Sequence, residues 1–160
     1  MIPAWAFVSA SEWRSVRRVV LFAGLALLAV VNYLDLVGVL GLGWSTEFVG
    51  WLAGTWTLLV ALTVESGEEL RARTTEMAYV FLGAVAVALV AVVSSPEVGI
   101  TYVYHVTPVG QVALATAPML GNAWMVLAVV YGSYRVVSWF STYLRLRATT
   151  PEERVLDREA

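Results

Sequence analysis

Long apolar stretches separated by short polar blocks leave this chain very few folds. The stretches are Val19–Leu40, Phe48–Val64, Met77–Val93 and Val109–Phe140. The first is broken only by Asn32 and Asp35. At 1.5 Å of helix rise per residue it covers about 33 Å, enough for a hydrocarbon layer of roughly 30 Å. In lipid every backbone N–H and C=O needs a partner within the segment or in a closed barrel, so runs of this length read as α-helices. Of the 160 residues, 59% are hydrophobic and 14% charged, and the charges lie in blocks between the runs. A water-soluble domain of this size would need them spread over its surface.

The fold class expected is therefore all-α: an integral membrane helical bundle of four transmembrane helices. Spans are placed at about 19–40, 44–64, 77–93 and 109–131. The last continues as a helix to Arg147, so the membrane domain covers 19–147. Residues 1–18 form an interfacial segment, in which Ser9 and Glu12 fit a capping box. The first apolar run is too long for the core of a cleaved signal peptide, so it reads as a retained helix. Residues 148–160 form a charged tail. Glu65–Glu76, with sequence ESGEELRARTTE, reads as a polar connector, and Ser94–Pro108 as an aromatic one. Val109–Phe140 is longer than one span needs and too short for two. The reading preferred is one helix kinked near Pro118. The alternative is a re-entrant piece, Val109–Ala117, followed by a span from Met119 to Phe140.

Arginine placement orients this arrangement. All ten basic residues are Arg, at 14, 17, 18, 71, 73, 135, 145, 147, 154 and 158. Four spans put them all on one face, which the positive-inside rule makes cytoplasmic, with both termini on that side.

Several chemistries are excluded outright. There is no Cys, which removes disulfides, thiolate zinc sites and iron–sulfur clusters. There is no Lys, which removes Schiff bases and the P-loop lysine. A single His cannot form a His-rich metal site or a bis-His haem. No cofactor is expected, and no catalytic constellation is visible.

The candidate polar residues are few. Asn32 and Asp35 lie three apart and so share a helix face. Asp35 is the acidic residue furthest inside an apolar run, which makes it the candidate proton or cation coupler. His105, on the same outer side with Glu47 and Glu97, could pair with Asp35 and titrate near neutral pH. Gly50 and Gly54 form a GxxxG on the second run, a close-packing motif. Trp13, Trp44, Tyr102, Tyr104 and Trp139 fall near interfaces, and Trp51, Trp56 and Trp124 are read as core fillers.

In span number, size and composition the chain resembles the small multi-span membrane proteins of pleomorphic archaeal viruses, which lie in the virion membrane beside a separate spike. That resemblance implies a structural role in a lipid envelope. The expectation is a non-enzymatic structural or accessory component of a membrane complex or envelope. Its partners are the lipid bilayer and other membrane proteins or further copies of itself, with no nucleic acid. A small oligomeric transporter using Asp35 is the alternative.

Overall fold

The computed structural model describes residues 10–93 and 108–148. Four helices are present among the described residues: α1 (Ala10–Leu36), α2 (Thr46–Ala61), α3 (Gly67–Val93) and α4 (Pro108–Ala148). The central element is α4, on which α3, α2 and α1 all pack, and α2 also packs on α1.

Helix α1 stops at Leu36 because the chain turns left-handed at Gly38, with φ +79°. Val39 N–H donates to the Leu34 carbonyl at 2.9 Å and Gly38 N–H to the Asp35 carbonyl at 3.0 Å. These are the two bonds of a Schellman cap, which satisfies carbonyls that lipid cannot. Gly41 and Gly43, with φ +64° and +67°, complete the turn into α2. Residues with a Cβ rarely adopt that conformation.

Helix α2 is N-capped by Ser45, whose hydroxyl accepts from Phe48 N–H at 3.2 Å. At the other end the Thr63 hydroxyl donates to the Val60 carbonyl at 2.7 Å. These caps confine α2 to 16 residues, about 24 Å. The expectation of four helices of spanning length is thereby corrected. Three helices, α1, α3 and α4, are long and apolar enough to cross a membrane, and α2 is short of a span. Leu62 and Val64 are apolar but lie outside the helix, because the chain is already turning into α3.

Helix α3 starts ten residues before the apolar run. The Ser66 hydroxyl accepts from Glu69 N–H at 3.2 Å, and Glu68 and Glu69 occupy the first turn, where the helix dipole favours acids. The segment read as a polar connector is thus helical from Gly67 onward. Its charges forbid burial in lipid but not helix formation. The last region is one unbroken helix of 41 residues with Pro118 inside it, about 60 Å long.

The core joins Leu21 and Leu25 of α1, Val49 and Ala53 of α2, Met77 of α3, and Met119, Ala123 and Leu127 of α4. Small side chains on α2 let the helices approach closely, so packing replaces the hydrophobic drive that lipid lacks. The outside is equally apolar: Val30, Leu59, Leu82, Val90 and Val129 are all exposed. An exterior of that kind is stable against acyl chains and not against water. The chain is a membrane protein. Trp51, read as a core filler, faces outward with 77% of its surface exposed. Trp56 and Trp124 do pack on the core.

Candidate functional site

The polar residues gather at the two ends of the bundle, with a few amides and hydroxyls between. At the end carrying the α1–α2 turn, the Asp35 carboxylate is fully engaged. It accepts N–H bonds from Gly43 at 3.1 Å, from Trp44 at 2.8 Å, and from Leu42. A carboxylate in the last turn of a helix is opposed by the helix dipole, and these three donors offset that. Asn32 turns elsewhere: its Nδ2 donates to the Ala115 carbonyl of α4 at 3.2 Å. The two residues do not form a joint site. Asn32 ties α1 to α4, and Asp35 holds the turn. His105 and Glu97 lie outside the described residues, as do Ser9, Tyr102 and Tyr104.

The opposite end holds an ion-pair network. Arg17 of α1 reaches the first turn of α3. Its Nε donates to Glu69 Oε1 at 3.0 Å and its Nη2 to Glu69 Oε2 at 2.7 Å. The Glu69 side chain is 1% exposed and that of Arg17 12%, so this is a bidentate, nearly buried pair. Glu65 stands 3.9 Å from the same guanidinium. Arg18 pairs with Glu76 at 3.4 Å, and Glu76 also pairs with Arg73 one turn back on α3. The network clamps α1 to the start of α3. In sequence its α3 members read as part of a polar connector, and Arg17 and Arg18 as part of an interfacial segment. The Ser66-x-x-Glu69 pattern is the signal that could have marked a helix start there.

Glycines mark where the helices touch. A Cβ on Gly24 would lie 2.2–2.8 Å from the Trp56 indole, whose Nε1 donates to the Leu21 carbonyl at 3.3 Å. A Cβ on Gly67 would overlap the Tyr134 ring. The GxxxG faces α4: a Cβ on Gly50 would lie 2.2 Å from Asn122 Nδ2, and one on Gly54 3.5 Å from Val126 Cγ2. Position 54 therefore accepts a methyl group in ordinary contact but not a branched side chain. Gly54→Ala should leave the melting temperature in detergent within a few degrees of wild type, while Gly54→Ile should destabilise by about 1–3 kcal/mol through overpacking. Equal melting curves for the two variants would contradict this placement.

Among the described residues no three His, Cys, Asp or Glu side chains gather into a group that could hold a metal ion. Two buried polar atoms there have no hydrogen-bond partner, Thr57 Oγ1 and Arg73 Nε. Clefts run along the outside of the bundle rather than through it. One of about 560 Å³ lies between α3 and α4 beside Phe81, Ala88, Pro118 and Met125. A second, about 380 Å³, lies between α2 and α4 beside Gly50, Trp51, Gly54 and Met125. Comparison with known proteins brings no relationship to bear: no family model, no curated protein and no solved structure matches the chain.

Proposed function

We propose that this chain is a non-enzymatic accessory or structural component of a membrane complex or lipid envelope, acting through helix contacts. The observation that carries the reading is the exposed C-terminal end of α4. From Gly132 to Arg147 every residue is exposed; Tyr134 rests beside Gly67 of α3 and lines a cleft there with Arg135 and Ser138, and the exposed surface continues past them. Helical spacing gathers Val136, Trp139, Phe140, Tyr143 and Leu144 on one face and Arg135, Ser138, Thr142 and Arg145 on the other. Trp139 and Tyr143 stack at 5.9 Å. A helix extension of about 24 Å with an apolar face is costly in water and is stabilised by a partner helix at the membrane surface.

The engagement of Asp35 also favours this reading over transport. Its carboxylate holds three backbone N–H groups at a turn, a role that loss of the charge by protonation would weaken. The arginine distribution supports a cytoplasmic location for both termini and for the ion-pair end of the bundle.

The reading is tested by substituting the free face. Trp139→Glu combined with Phe140→Glu should leave the bundle's helicity and melting temperature unchanged and abolish co-purification of partner proteins from native membranes in mild detergent. Unchanged recovery of the complex would count against it.

A further inference from the structure

We propose that Asn122 marks a contact between two copies of this chain inside the membrane. The residue lies near the middle of the apolar part of α4, about 20 Å of helix from Pro108 and about 18 Å from Tyr134. Its side chain is exposed on the outer surface of the bundle, against Gly50 of α2. Together with Met125 it lines both clefts that flank α4. Among the described residues its carboxamide makes no hydrogen bond to protein. Asn32, an amide on α1, is bonded to a carbonyl of the neighbouring helix.

An amide facing acyl chains has no partner there, and leaving it unpaired costs free energy. The carboxamide complements itself: its N–H₂ carries partial positive charge and its oxygen partial negative, so two of them satisfy each other. Two copies inserted in the same sense can be related by a twofold axis along the membrane normal. Such an axis brings every residue level with its own copy. The surrounding surface suits the approach. Residues 48–61 of α2 and 108–134 of α4 carry no formal charge, and the one carboxylate lining the second cleft, Glu47, sits in the first turn of α2 at the cleft's end. Met125 is 59% exposed beside the amide, and the clefts on either side offer apolar room for a partner's side chains. The contact deepens the accessory reading by naming a second copy as one partner. It uses a surface separate from the exposed C-terminal end of α4, so the two ideas fail independently.

The absence of native cysteine makes the test direct. Met125→Cys, one turn from Asn122, is purified and reconstituted into phosphatidylcholine–phosphatidylglycerol vesicles at low protein density, then oxidised. A disulfide-linked dimer should form. Leu27→Cys, on the outward side of α1 and 66% exposed, should stay monomeric. Adding Asn122→Ala to Met125→Cys should lower the dimer yield about fivefold, the scale of one interhelical hydrogen bond, while Asn122→Gln, which keeps the amide, should retain most of it. Folding of each variant is checked by its melting curve. Absence of dimer for Met125→Cys, or a yield unaffected by Asn122→Ala, overturns the proposal. So does crosslinking at residue 125 to a different protein in native membranes with none between copies.

Discussion

Glu69→Ala should be the most damaging single substitution in the bundle, lowering its stability by about 3–5 kcal/mol. The reason is the partner left behind. Arg17 is 12% exposed and gives two hydrogen bonds to this one carboxylate. Without Glu69, its guanidinium keeps only Glu65, at 3.9 Å, and an uncompensated charge remains against the helices. Arg17→Ala should cost a similar amount by stranding Glu69. The double substitution Arg17→Met with Glu69→Leu removes both charges and keeps the volume. Because replacing a buried ion pair by apolar residues is often neutral, it should recover most of the loss. Thermal or denaturant unfolding in detergent measures the cycle. Additive losses would show that the two residues contribute separately and that the clamp between α1 and α3 is not a unit.

The second large effect belongs to Gly24. A Cβ there meets the Trp56 ring well inside van der Waals distance, and the indole is further fixed by its bond to the Leu21 carbonyl. Gly24→Leu must expel Trp56 from the α1–α2 contact, at an expected cost of about 2–3 kcal/mol. Adding Trp56→Ala to Gly24→Leu should make room for the leucine and return part of that stability. A Gly24→Leu protein that melts with wild type would mean that α1 and α2 are not in this register.

These two sites differ in how far they could be read from the chain. The helices were legible because hydrophobic runs of this length have one stable form in lipid. The early start of α3 is harder to read, because the charges of Glu68, Glu69, Arg71 and Arg73 fit a connector as well as a helix, although Ser66 and Glu69 carry the spacing of a helix start. Asp35 illustrates a different limit. Its partners are backbone groups seven to nine residues away, and no side-chain pattern announces them. Asn32 and Asp35 do share a helical spacing, but the helix ends one residue after Asp35, so its carboxylate folds over the turn while Asn32 points into α4. Trp51 and Asn122 show the same limit. Each is a single residue in an apolar run, and only the assembled bundle shows that it faces outward. For Gly50 and Gly54 the GxxxG spacing signalled close packing, and the geometry adds the partner, α4, and the two side chains met there.

The proposed orientation sets the ion-pair end of the bundle and both termini in the cytoplasm, and it requires the 16-residue α2 to carry the chain back across the membrane. Single cysteines at Ser45, Ser66 and Ala160, each introduced into the cysteine-free chain, test it through labelling of intact cells with a membrane-impermeant maleimide. Ser45→Cys should label in intact cells. Ser66→Cys and Ala160→Cys should label only after permeabilisation. Labelling of either of these two in intact cells, or protection of residue 45 until the membrane is opened, would contradict the orientation on which the account rests.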